Sequence, residues 1–199
     1  MALILDTETS GLPFCPRYGV FSDYTDLRCY STSRIVHVCY IITGKYFEQL
    51  EESNIIIKAN DFKIKNSQFH GITDEISQSQ GIPFEEFAEM FNNSLDHVTA
   101  IIAHNIDFDI NVLYSELYRN GFLEIIEKIK SKKLICTMKL TKNVVNATFK
   151  NSTDIKDPNL KELYHFCTGE ELQNHHDCMY DVKNLHTIVK HLSYLFKLN

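Results

Sequence analysis

No stretch of eighteen apolar residues occurs in the chain, which excludes a membrane-spanning helix. The six cysteines (15, 29, 39, 136, 167 and 178) contain no Cys-x-x-Cys pair, so the regular ligand spacing of a zinc module is missing. Several sit in apolar, strand-like context and read as reduced thiols, which implies a reducing intracellular compartment, cytoplasm or nucleus. There is no internal repeat and no low-complexity segment. Met1 is followed at once by an apolar run, leaving no room for a signal or transit peptide ahead of a core strand. Positive charge is also short: 20 Lys and Arg face 26 Asp and Glu, a net charge of -6. That balance argues against tight, salt-driven binding to duplex nucleic acid.

What is present describes an ordinary globular protein, with 44% hydrophobic and 23% charged residues. A chain of 199 residues supports one sizeable core and is short for two, so residues 1–199 are expected to form a single domain. Strands are expected at residues 2–6, 35–43 and 46–57, with Gly44-Lys45 as the hairpin turn between the last two. A helix from about Pro83 to Asp96 carries Phe84, Phe87 and Phe91 on one side. Further elements are expected as a strand near 99–103, helices at 106–120 and 122–130, a strand at 133–136, and helices near 158–167 and 179–197. A hairpin followed by strand–helix alternation implies an α/β fold, a mixed sheet with helices on its faces. Residues 14–33 and 143–158 form long loops, which are usually either functional or disordered.

The most informative segment is Leu5-Asp6-Thr7-Glu8-Thr9-Ser10-Gly11-Leu12-Pro13. In a strand the side-chain period is two, so Asp6 and Glu8 share a face at the C-terminal end of an apolar run. Two carboxylates side by side repel, an arrangement a fold tolerates for a cation or for catalysis. Gly11 and Pro13 then turn the chain and clear space above the acids.

Further acids arrive later in the chain. Ala100-Ile101-Ile102-Ala103-His104-Asn105 reads as a short strand and turn, with Asn105 placed to cap the next helix. Its stripe is Ile106, Ile110, Leu113 and Leu117, ending at Asn120-Gly121. Asp107 and Asp109 both flank that stripe, Asp109 closer to the buried side. A third segment, His175-His176-Asp177-Cys178-Met179-Tyr180-Asp181, heads a helix with Val182, Leu185, Ile188, Val189, Leu192 and Phe196 on its apolar face. His176 and Asp181 are five apart and share no face of one continuous helix. With His176 on the preceding loop and Asp181 in the first turn, both can reach one point.

Taken together, Asp6-x-Glu8, His104-Asn105 with Phe108-Asp109, and His176 with Asp181 resemble the three motifs of the DEDDh exonuclease family. That family includes the proofreading epsilon subunit of bacterial DNA polymerase III, RNase T, oligoribonuclease and the TREX enzymes. Phe69-His70-Gly71-Ile72-Thr73, Cys136-Thr137-Met138-Lys139-Leu140 and Asn159-Leu160-Lys161-Glu162-Leu163 resemble lesser signatures between the motifs, so the likeness covers nearly the whole chain. The family pattern, in which an aromatic or apolar residue precedes the acid, selects Asp109 after Phe108.

The resemblance implies an RNase H-like fold, a five-stranded sheet of order 3-2-1-4-5 with strand 2 antiparallel. It also implies a 3'–5' exonuclease releasing nucleoside 5'-monophosphates from single-stranded or frayed ends, with two Mg²⁺ ions that Mn²⁺ can replace. Asp6 would bridge the ions, Glu8 and Asp181 would complete one site, Asp109 would serve the other, and His176 would take a proton from the attacking water. Glu8 and the backbone of Thr9 match the contacts to the terminal hydroxyl, and Leu12 matches the wedge between the last two bases. Phe69 and His70 offer a stacking surface, and Asn105 joins the substrate-binding set. The Asp-Thr-Glu-Thr-Ser-Gly-Leu-Pro start is closer to the proofreading and TREX branch, which favours DNA, with RNA as the alternative substrate. Such a protein works alone or joins a polymerase through its surface. An inactive RNase H-like binding module is the reading from a different class.

Two other features bear on partners. Between Lys128 and Lys156 there are eight lysines and one acid, Asp154, a candidate electrostatic track for phosphates. His165, Cys167, His175, His176, Asp177 and Cys178 cluster in sequence but lack a second regularly spaced pair, and Cys178 reads as a small packing residue of the helix.

Overall fold

The computed structural model describes residues 1–17, 19–172 and 177–196. Its five strands are β1 (Ala2–Thr9), β2 (Ile35–Thr43), β3 (Gln49–Ile56), β4 (Ala100–Ala103) and β5 (Lys133–Cys136), in the order β3-β2-β1-β4-β5. β2 runs antiparallel to both β1 and β3, whereas β4 is parallel to β1 and β5 parallel to β4. This is the mixed sheet expected from the sequence, with strand 2 reversed.

The helices are α1 (Ser67–His70), α2 (Asp74–Gln80), α3 (Phe84–Leu95), α4 (Ile106–Arg119), α5 (Leu123–Lys130), α6 (Thr137–Leu140), α7 (Lys142–Val145), α8 (Leu160–Thr168) and α9 (Cys178–His191). None among the described residues is long and apolar enough to cross a membrane. Strand alternation divides the interior in two. Leu3 and Leu5 of β1 pack with Phe87 and Phe91 of α3, Leu113 and Leu117 of α4, and Ile126 and Ile129 of α5. Ala2 and Ile4 point the other way, onto Val182, Leu185 and Val189 of α9 and Leu163 of α8. β1 thus lies at the centre of the sheet with a hydrophobic core on each face, which removes freedom from whatever its last residues carry.

Local chemistry explains the helix ends. Thr73 accepts from the Ile76 N–H at 3.2 Å and starts α2. Asn159 and Glu162 form a reciprocal capping box at α8. Asp177 caps α9 by accepting from the Tyr180 N–H at 3.0 Å.

The structure departs from the sequence expectation at the turn between β2 and β3. The β2–β3 connection is not a tight Gly44-Lys45 hairpin: Gly44 N–H donates to the Glu48 carbonyl, and Phe47 sits at φ 60°. The cause is burial of the Phe47 ring against Phe196, centroids 6.0 Å apart, which draws the turn down onto the α9 side. Gly11 is required for close approach, since a Cβ there would lie 2.7 Å from the Thr32 carbonyl oxygen. Through its described residues, the 14–33 loop is tied to the body. Tyr30 is fully buried and donates to the Ser22 carbonyl, and Tyr24 packs against Tyr114 and Tyr118 of α4.

One buried ion pair braces this side. Arg34 donates through Nε and Nη2 to the carboxylate of Glu116, which is 3% exposed, and through Nη1 to Asp61 at 2.9 Å. Removing one partner of a buried pair leaves an uncompensated charge, typically costing roughly 3–5 kcal/mol. Because Asp61 still engages Arg34, Glu116→Ala is expected near the lower end, about 3 kcal/mol, in urea denaturation. A loss under about 1 kcal/mol would show that the pair does not brace the fold.

Candidate active site

At the end of β1 the alternation that built two cores delivers polar side chains to both faces. Asp6 and Glu8 continue the Ala2–Ile4 face and meet the first turn of α9, where Asp181 projects. One carboxylate oxygen from each of Asp6, Glu8 and Asp181 lies within 4.8 Å of the others. Thr7 continues the opposite face, toward α4. There Asp109 Oδ1 accepts from the Thr7 N–H at 3.0 Å and from Thr7 Oγ1 at 2.8 Å. Four acids from three distant segments therefore gather at one strand end.

Their electrostatics follow from crowding in a poorly solvated place. Burial, followed by the charges of Asp109, Glu8 and Asp181, pushes Asp6 well above the usual carboxylate range. Burial and then Asp181 raise Glu8 to about 8, with His37 acting in the opposite direction. Burial raises Asp109 to about 7 against the hydrogen bonds from Thr7. Such a set of oxygen donors fits hard divalent cations, which would supply the compensating charge.

The competing acid is placed elsewhere. Asp107 is half-buried and paired with Lys139, whereas Asp109 is 3% exposed. Asn105 does not cap α4. It adopts a left-handed conformation (φ 67°, ψ 48°) with no side-chain capping bond, and its carbonyl accepts from the Phe108 N–H at 2.9 Å. Asn tolerates this region better than most residues, and the chain uses that to turn sharply from β4 into α4.

A cleft of about 280 Å³ opens beside the acids, lined by Glu8, Thr9, Leu12, Phe69 and His70 among others. Leu12 is 74% exposed and Phe69 58% exposed, so Phe69 is a surface aromatic and not a core one. The Thr9 hydroxyl donates to the Gly11 carbonyl at 2.7 Å. His70 is buried, its Nδ1 accepting from the Ile72 N–H. Asn105 lies in an adjoining cleft of about 330 Å³ that shares Leu12 and Phe108.

His176, like His175, lies outside the described residues. His104 acts as a neutral cross-brace: Nε2 donates to the Pro158 carbonyl and Nδ1 accepts from Thr137 Oγ1, and burial lowers its pKa to about 4. The lysine track is largely spent on neighbouring acids. Lys128 pairs with Asp96, Lys130 with Glu127, Lys139 with Asp107, Lys142 with Asp157 and Lys156 with Glu162. Sequence reasoning also passed over His37 and Cys39. They lie opposite Glu8 and Asp6 in the β1–β2 register, beside Cys178. The available signal was His-x-Cys at period two inside an otherwise apolar strand.

The sequence matches the RNase T exonuclease family over residues 3–189. The chain belongs to that family. Among curated proteins none matches it. Among solved structures, this exonuclease-family chain is similar to E. coli exonuclease I in complex with a dT13 oligonucleotide (TM-score 0.70, 19% identity, 95% of this chain and 40% of that one). It is similar to exonuclease I from Methylocaldum szegediense (TM-score 0.70, 17% identity, 97% and 40%). It also resembles exonuclease X in complex with 5' overhanging duplex DNA (TM-score 0.61, 18% identity, 100% and 95%). At these identities the likeness is one of fold, and the chain spans about 40% of the length of the exonuclease I structures.

The raised acids make a prediction for the metal-free protein. Their folded pKa values exceed the ordinary carboxylate values, so between roughly pH 4 and 8 the unfolded chain holds fewer protons than the folded one. Their contribution to stability is complete below the unfolded pKa and declines as pH rises through about 7–8. Thermal melts with a chelator should fall across that range, and millimolar Mg²⁺ should recover most of the loss at pH 8. A melting temperature that rises steadily with pH in the metal-free protein would contradict the assignment.

Proposed function

We propose that the protein is a 3'–5' exonuclease acting on single-stranded or frayed DNA ends, releasing nucleoside 5'-monophosphates, with two Mg²⁺ ions as cofactor. The observation that carries this reading is the convergence of Asp6, Glu8 and Asp181 within 4.8 Å, beside Asp109, at a cleft walled by exposed Leu12 and Phe69. The DNA preference is supported by the DNA ligands of the exonuclease I and exonuclease X structures.

When bound, two divalent ions activate the attacking water and stabilise the leaving oxygen of an in-line displacement. Asp6, Glu8 and Asp181 on the α9 side, with Asp109 from the α4 side, would hold the ions. Leu12, exposed at the cleft wall, parts the terminal base from its neighbour, and Phe69 offers a π-face that accepts any base. His176, five residues before Asp181, takes the proton from the attacking water, a role the sequence spacing supports.

Purified protein with Mg²⁺ and 5'-labelled oligomers should yield a ladder shortened from the 3' end with single-stranded DNA. Faster degradation of a matched RNA would assign the site to RNA instead. Absence of cleavage on both, with any divalent ion, would leave an inactive binding module. Asp109→Asn should remove nearly all activity and Asp107→Asn should keep most of it; the reverse result would sink the assignment of the second acid. His176→Ala should keep DNA affinity and lose roughly 10²–10⁴-fold in rate, with a far smaller loss for His175→Ala. A full-rate His176→Ala would overturn its role.

A further inference from the structure

Next to the carboxylates lies a second group of side chains with different chemistry. His37 and Cys39 occupy the same face of β2 as Asp6 and Glu8 of β1, in register with Glu8 and Asp6 respectively. Cys178, the first residue of α9, closes over them, its thiol donating to the Asp6 carbonyl at 3.4 Å. One ring nitrogen of His37 and the two sulfurs lie within 4.8 Å of one another, and all three residues are buried. Asn54 of β3, opposite Cys39, brings Oδ1 to 3.5 Å from Cys39 Sγ and 2.5 Å from His37 Nε2.

We propose that His37, Cys39 and Cys178, with Asn54 Oδ1 as fourth donor, form a site for a soft divalent cation of the zinc class, separate from the carboxylate site. The donor set is two thiolates, one imidazole and one oxygen, a combination that selects zinc over magnesium. The spacing fits. A tetrahedral ion with Zn–S of about 2.3 Å and Zn–N of about 2.0–2.1 Å holds sulfur and nitrogen roughly 3.5–3.6 Å apart. Cys39 Sγ and His37 Nε2 are 3.4 Å apart. The ion would replace the His37–Asn54 hydrogen bond, and each thiol would lose its proton on binding. Asn54 is exposed on edge strand β3, so the amide can swing and the ion can enter from that side.

The consequence is mechanical. β2 would be fastened to the first turn of α9, three residues before Asp181, fixing that acid against Asp6 and Glu8. The carboxylate site does not require the ion, and the ion does not require the carboxylates.

The full chain, purified without chelator from zinc-containing medium, is expected to carry one equivalent of zinc by elemental analysis. After chelation, reconstitution with Co²⁺ should give the near-ultraviolet thiolate-to-cobalt charge-transfer band, which oxygen-only sites cannot produce. Cys39→Ser and Cys178→Ser should each weaken the band and lower the zinc content, whereas Cys167→Ser should leave both unchanged. Asp6→Asn should keep the band, which separates this site from the carboxylate site whatever the nuclease assay reports. Because zinc content and band are first read on the unsubstituted protein, misfolding of a variant cannot mask a negative result. Absence of zinc together with absence of the band would overturn the proposal. So would a Cys39–Cys178 disulfide in the isolated protein, seen as two missing thiols.

Discussion

Carboxylates repel one another, and a fold that gathers four of them must supply the force that keeps them there. Here that force is hydrophobic and comes from two directions. β1 is pinned between a core of α3, α4 and α5 and another of α9 and α8, so its last residues are not free to splay. Asp181 is held by the buried face of α9 and Asp109 by that of α4. The cost appears as the upward shift of Asp6, Glu8 and Asp109, set first by burial and, for Asp6 and Glu8, next by neighbouring carboxylates, and a divalent ion would supply the compensating charge.

The two faces of β1 divide the work. Asp6 and Glu8 look toward α9 and join Asp181 directly, whereas Asp109 comes from the other layer and reaches the same strand end through Thr7. An acid attached to the strand's own backbone moves with it. The distance between the two groups of acids is therefore set by the thickness of one strand and not by a flexible loop. At the cleft, Gly11 lets the chain pass close to the Thr32 carbonyl, and the next residue, Leu12, lines the wall with Phe69.

Much of this was legible because it rests on local periodicity. The period-two run ending in Asp6 and Glu8, and the stripe from Ile106 to Leu117, fixed strand, helix and acid placement together. Asp107 against Asp109 was close on periodicity alone, because both flank the stripe; burial and the bond to Thr7 separate them in space. Features that depend on tertiary neighbours stayed hidden. Phe47 looked like part of a strand until its ring found Phe196. Asn105 had the composition of a cap but was needed for a left-handed turn. The lysines between 128 and 156 looked like a track because the acids that pair with most of them lie at 96, 107, 127, 157 and 162, outside that window. His37 and Cys39 meet Cys178 only through sheet pairing and helix docking, which a linear reading does not join.

The contact between Cys178 and Asp6 joins residues 172 positions apart. During synthesis the chain emerges at about 5–20 residues per second, so Asp6 and Glu8 leave the ribosome long before the helix that supplies Asp181 exists. Pairing of β1 with β2 and β4 can begin meanwhile, but the constellation of acids closes last. Contacts of such long range are also slow to form, because their loop-closure entropy must be met before they return any stability. A chain stalled or clipped before α9 would thus carry Asp6, Glu8 and Asp109 without Asp181 and with one face of β1 uncovered.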